Sequence, residues 1–86
     1  MNPMSVQVRY FASLREALGA SERVDVAAGS TVGALRDALI ARGGRHAEVL
    51  ARGRAVRCSV NQTMCDDGTA LSAGAEVAFF PPVTGG

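Results

Sequence analysis

Apolar and polar positions alternate near the start of the chain. Val6, Val8 and Tyr10 are separated by Gln7 and Arg9, the two-residue period of a strand that buries one face. A first strand is predicted over residues 5–11, with Phe11 pointing away from its core face. Ser13–Leu18 then reads as one or two helical turns that Gly19 can close in a left-handed conformation. Arg23, Val24, Asp25 and Val26 alternate again, predicting a second strand over 23–26 that pairs with the first and is broken by Gly29-Ser30.

From Thr31 the period lengthens. Val32, Leu35, Ala38 and Leu39 fall on one helical face, with Arg36, Asp37 and Arg42 away from it, so the main helix is predicted over 32–42. Ser30 or Thr31 supplies the N-cap oxygen, worth about 1 kcal/mol over alanine, and Gly43-Gly44 offers a left-handed exit. Residues 46–50 form a further short turn. A third strand is expected over 55–60, followed by a tight turn at Asn61-Gln62, since asparagine tolerates positive φ. A two-residue hairpin there sets Val60 opposite Thr63, Ser59 opposite Met64 and Cys58 opposite Cys65. Asp66-Asp67-Gly68 is another turn, and Leu71 to Gly74 leads into a last strand over 75–80, with Val77 and Phe79 on one face and Ala78 and Phe80 on the other. The expected architecture is α+β, one main helix across a mixed sheet of about five strands, with residues 1–80 as the domain and 81–86 as an extended tail.

At 86 residues the chain buries about 60 to 65% of its unfolded surface, enough for a modest independent core. No apolar run approaches the ~18 residues of a membrane span. The opening Met1-Asn2-Pro3-Met4 lacks the basic and apolar regions of a secretion signal, so a cytoplasmic location is expected. The net charge of +1, from nine arginines and eight carboxylates, gives no global field for nucleic acid or an anionic membrane. Arg42, Arg45, Arg52, Arg54 and Arg57 cluster around a single acid, Glu48; without interleaved aromatic rings this reads as a solvated surface rather than a base-stacking face. His46 is expected at the surface, because no motif ties a Ser, Cys or acid to it. The two cysteines are expected as reduced, packed thiols, with a cross-strand Cys58–Cys65 disulfide as the alternative, and their spacing is not that of a zinc site.

The sequence ends Phe79-Phe80-Pro81-Pro82-Val83-Thr84-Gly85-Gly86: two rings to anchor, two prolines to stop the sheet, and a thin probe. The prolines favour an extended exit, and Gly85-Gly86 fits a channel too narrow for a Cβ. A frayed terminus of similar composition is the competing explanation.

Leu71, Gly74, Glu76 and Val77 form an L-x-x-G-x-E-V approach to the last strand, which together with the Gly-Gly end resembles the ubiquitin-like β-grasp fold. Val60-Asn61-Gln62-Thr63 and the run Glu76 to Gly86 resemble the small, sulfur-carrying subunit of molybdopterin synthase, and Val8 to Ala12 with Leu14-Arg15-Glu16 is similar to that family's first strand and short helix. The resemblance implies a non-catalytic subunit that binds no cofactor or metal. A carboxylate with a pKa near ~3.5 is an anion at neutral pH and a poor electrophile until it is activated. By resemblance, Gly86 is adenylated with ATP inside a ubiquitin-activating-like enzyme, and a persulfide donor then converts it to a thiocarboxylate. Its sulfur then passes to a pterin precursor in the large catalytic subunit, for the dithiolene of molybdopterin. Pro82, Val83, Thr84 and Gly85 would enter the partner's site, with Phe11, Phe80 and Pro81 as docking residues; for the two phenylalanines the alternative is ordinary core packing beneath the helix. Competing functions are a sulfur carrier for thiamine or cysteine synthesis, a ubiquitin-like protein modifier, and a binding module.

Overall fold

The computed structural model describes residues 3–82. Alternation in β1 (Met4–Tyr10) carries Val6, Val8 and Tyr10 inward, while Gln7 and Arg9 face solvent. The strand stops one residue short of the expected boundary. Phe11 leaves the ladder to become the N-cap of α1 (Ala12–Leu18), the chain reversing at Ala12 with φ 53°. Gly19, at φ 94°, closes α1 by donating its N–H to the Arg15 carbonyl at 2.8 Å. β2 (Ser21–Val26) then runs antiparallel to β1, from Ser21 opposite Arg9 to Val26 opposite Met4, two residues longer than its apolar alternation indicates.

Thr31 caps α2 (Val32–Ile40), its hydroxyl oxygen accepting the Ala34 N–H at 3.2 Å. Val32, Leu35 and Leu39 are fully buried, as the period requires. Two positions depart from expectation: Ala38 is exposed, and Arg36 is buried at 7% exposure. Position 36 lies four residues after Val32 and three before Leu39, so the helix geometry itself turns it inward. The guanidinium is satisfied there by backbone oxygens, Nε donating to Leu50 O and Nη2 to Ala51 O, both at 2.7 Å. α2 ends at Ile40, two residues early, in bonds from Arg42 N to Leu39 O and Gly43 N to Ile40 O. Gly43 and Gly44, at φ 76° and 56°, turn the chain into α3 (Gly44–Leu50), a regular helix where only a short turn was expected.

β3 (Arg57–Val60) and β4 (Thr63–Cys65) form the predicted hairpin, with Asn61 at φ 49° and Gln62 at φ 69°. Its register matches expectation at each of the three pairs: Val60–Thr63, Ser59–Met64 and Cys58–Cys65. β5 (Glu76–Phe80) lies in the middle of the sheet, parallel to β1 and antiparallel to β3, in the order β2-β1-β5-β3-β4. Residues 55 and 56 fall outside β3 because its last partner on β5 is Phe80, opposite Arg57; Pro81 has no N–H to extend the ladder. One core joins the inward residues of the sheet to Leu14, Val32, Leu35, Leu39 and Leu50 from the helices; among the described residues no helix covers the other sheet face. The mixed five-stranded α+β architecture is therefore the expected one, with three helices rather than two. Among the described residues, no helix is long and apolar enough to cross a membrane.

Candidate functional site

The last strand is anchored by its ring. Phe79 is 1% exposed and stacks on Tyr10, with centroids 6.4 Å apart and planes 21° from parallel. Burying a ring of this size stabilises the domain by roughly 2 to 3 kcal/mol. The Phe79 carbonyl accepts the Phe11 N–H at 3.2 Å, tying the end of β5 to the start of α1. Phe80 points to the opposite side, half-buried and outside the core cluster. The chain then leaves the sheet at Pro81 and Pro82.

Three docking candidates thus occupy two places. Pro81 lines a hollow of about 320 Å³ on the helix side, with Ser13, Leu14, Val49, Arg54 and Val56. Phe11 and Phe80 are absent from the core, so neither is a ring covered by the main helix. Phe11 is 39% exposed, and the Arg9 guanidinium sits 5.3 Å from its centroid. Pro82 is half-buried at the exit; Val83, Thr84, Gly85 and Gly86 lie outside the described residues.

On the uncovered face, cross-strand register aligns Arg9, Ala78, Ser59 and Met64 in one row, with Phe80 beside Ala78 on the same strand face. Glu76 faces the same way and pairs with Arg9 at 3.6 Å. Met64, 54% exposed, is the largest apolar side chain that sequence reasoning missed as a surface feature. The signal was present in the hairpin register, which sets Met64 opposite Ser59 and away from the Cys58 face. A small apolar strip with an ionic border of this kind suits a protein partner.

The arginine-rich stretch is tied largely to the domain itself. Arg42 contacts Glu22 at 2.5 Å, Arg52 bridges Asp37 (2.8 Å) and Asp67, and Arg54 donates to Glu48 O at 3.2 Å. Glu22 is a hub joining sheet to helices: its Oε2 accepts the Tyr10 hydroxyl at 2.8 Å and lies 2.9 Å from His46 Nε2. Burial alone would raise the Glu22 pKa; hydrogen bonds from His46, Arg42 and Tyr10 outweigh it and hold the carboxyl at about 2. Burial first, then the bond to Glu22, pushes the Tyr10 hydroxyl above its usual range. His46 is therefore half-buried in a structural network rather than free at the surface. Among the described residues, no group of three or more His, Cys, Asp or Glu side chains could hold a metal ion.

Similarity to known proteins follows the same outline. The ThiS family model matches residues 8–86, a span that runs from within β1 through β5 to the Gly85-Gly86 pair. The molybdopterin synthase sulfur carrier subunit of Escherichia coli is 44% identical over 82 residues, covering 94% of this chain and 99% of that protein. A crystal structure of small archaeal modifier protein 1 from Haloferax volcanii superposes with a TM-score of 0.75 at 31% identity, covering 93% of this chain and 99% of the other. The complex of subunits 1 and 2 of the molybdopterin-converting factor from Helicobacter pylori contains a chain that superposes with a TM-score of 0.64 at 27% identity, covering 96% of this chain and all of that one. The fold is the ubiquitin-like β-grasp, and the chain belongs to the ThiS family, alongside the sulfur carrier subunits of molybdopterin synthase.

Proposed function

We propose that this protein is the sulfur carrier subunit of a molybdopterin synthase, acting through its Gly86 carboxylate. The observation that carries this reading is the 44% identity to a carrier of that name over nearly the whole of both chains. The anchored β5, ending at two prolines directly before the tail, supports it physically. The carboxylate attacks the α-phosphate of ATP within an adenylating enzyme and releases pyrophosphate. The outer sulfur of a donor persulfide displaces AMP to form an acyl disulfide, and a second donor thiol then cleaves its S–S bond, releasing the thiocarboxylate and leaving the donor as a disulfide. Inside the large catalytic subunit that sulfur attacks a pterin precursor, and hydrolysis of the acyl link regenerates the carboxylate. The carrier contributes position, not acid or base; ATP is consumed by the partner, and the carrier itself holds no cofactor. The Helicobacter pylori complex supports a large-subunit partner, and the Met64–Phe80 face is the proposed contact surface.

Intact mass spectrometry after incubation with ATP, an adenylating enzyme and a persulfide donor tests this. Exchange of one oxygen for sulfur at Gly86 is expected; an unchanged mass refutes it. A carrier serving thiamine or cysteine synthesis would load in the same way and fail only with the pterin acceptor. A protein modifier is the second reading, favoured by the 31% identity to the Haloferax volcanii modifier, and it would yield isopeptide adducts on lysines instead.

A further inference from the structure

The carrier reading gives no part to the only two thiols in the chain, and their placement is specific. Cys58 and Cys65 are directly opposed on β3 and β4, with sulfurs 3.3 Å apart. Opposed residues in an antiparallel pair hold their Cα atoms about 4.5 to 5.5 Å apart, inside the roughly 4.4 to 6.8 Å range that a disulfide spans. The two-residue turn at Asn61-Gln62 holds this register. The pair is also reachable: both thiols line an open hollow of about 520 Å³, with Arg36, Arg57, Asp66 and Asp67 around it. Their exposures differ, Cys58 being 7% exposed and Cys65 half-buried.

We infer that Cys58 and Cys65 are a reversible oxidation site that closes a cross-strand disulfide and staples the sheet's edge hairpin. Low-molecular-weight disulfides are the chemical class of oxidant. The more accessible Cys65 attacks first, as its thiolate, breaking the oxidant's S–S bond, forming a mixed disulfide and releasing one thiol. Cys58 then attacks the Cys65 sulfur, forming the internal bond and releasing the second thiol. Two protein thiols are oxidised, one small disulfide is reduced to two thiols, and the electrons balance. Burial of Cys58, ahead of its contact with Cys65, pushes its pKa up to about 12, so the closing step, in which Cys58 attacks as its thiolate, is slow at neutral pH. The staple constrains β4, which pairs with β3 alone, and with it Met64 on the uncovered face.

The test treats the reduced full chain with glutathione disulfide, traps free thiols with N-ethylmaleimide, and measures intact and peptide masses. The expected result is a chain that has lost two hydrogens, takes up no maleimide, yields one peptide linking the two cysteines, and regains two reactive thiols with dithiothreitol. The urea midpoint of the oxidised form should be higher than that of the reduced form. Cys58→Ser should stop at a stable glutathione adduct on Cys65, whereas Cys65→Ser should leave Cys58 largely unmodified. Two alkylated cysteines after prolonged oxidation, a persistent adduct on the unaltered chain, or a disulfide-linked dimer would each overturn the inference. None of these readouts involves Gly86, so the outcome is independent of whether the chain carries sulfur there.

Discussion

Replacing Glu22 with glutamine should cost stability at neutral pH and cost nothing in strong acid. The carboxylate accepts from Tyr10 and contacts Arg42 and His46, tying two strands to the region where α2 gives way to α3. Its pKa falls from 4.5 to about 2 on folding; at about 1.4 kcal/mol per pH unit this sets a ceiling near 3.4 kcal/mol. The side chain is 26% exposed, so solvent screening reduces the expected effect to about 2 kcal/mol. The sign follows from a folded-state pKa that is depressed. The contribution is complete above the unfolded value and is lost as pH falls from about 5 towards about 2. The glutamine variant keeps the size of the group and an acceptor for Tyr10 but loses the charge. Urea unfolding of both proteins across this range, followed by the fluorescence of Tyr10, the single tyrosine in a chain without tryptophan, gives the difference directly. Asp37, also held low by Arg52, is common to both proteins and cancels. A stability difference that stays constant down to about pH 2.5 would refute the role of the charge and leave only packing.

Three other substitutions probe separate features. Arg36→Met should destabilise the domain by about 2 to 4 kcal/mol in urea unfolding, because the buried Leu50 carbonyl and the half-buried Ala51 carbonyl lose their donors. Gln62→Gly should stabilise it by about 0.5 to 1 kcal/mol in thermal unfolding, by relieving a side chain held at φ 69° in the hairpin turn. Met64→Glu should leave the melting temperature within about 2 °C of the parent, since the side chain is exposed. It should also weaken binding of the large subunit about tenfold or more in calorimetry; unchanged affinity would remove the uncovered face as the contact surface.

The local rules were legible where one force dominates. Alternation found the inward faces of β1 and β5. The Asn61-Gln62 turn fixed the whole β3–β4 register, since a two-residue loop leaves one pairing. Polarity misled at Arg36, because a long side chain can end on backbone carbonyls contributed by a later segment, a partnership invisible to local periodicity. The early end of β1 and the late start of β3 were also nonlocal: one depends on the reversal at Ala12, the other on where β5 runs out of donors. The arginine cluster could not be resolved from the sequence because Glu22, Asp37 and Asp67, which receive Arg42 and Arg52, lie 15 to 20 residues away from them. For the candidate site, the sequence identified Phe79 as anchor and Phe80 as outward-facing. It did not separate Pro81, on the helix side, from the phenylalanines.

The position of β5 makes tail length a quantity that can be tested. A strand paired on both sides and fixed by the buried Phe79 ring moves with the whole domain, so the carboxylate's position is set by where the domain docks and how far the tail reaches. From Pro82 to Gly86 that reach is at most ~15 to 18 Å. Removing Thr84 shortens it by ~3.5 Å, and misplacement of a reacting group by even about 1 Å can cost 100-fold in rate. Inserting Gly-Ser-Gly-Ser after Pro82 only adds slack; with effective concentration falling as roughly the −3/2 power of length, the loss should be about 2- to 3-fold. Deletion should therefore abolish single-turnover sulfur transfer to the large subunit while insertion slows it slightly, both with unchanged melting temperatures. Equal effects from the two changes would mean that the tail is recognised by its sequence rather than used for its reach from β5.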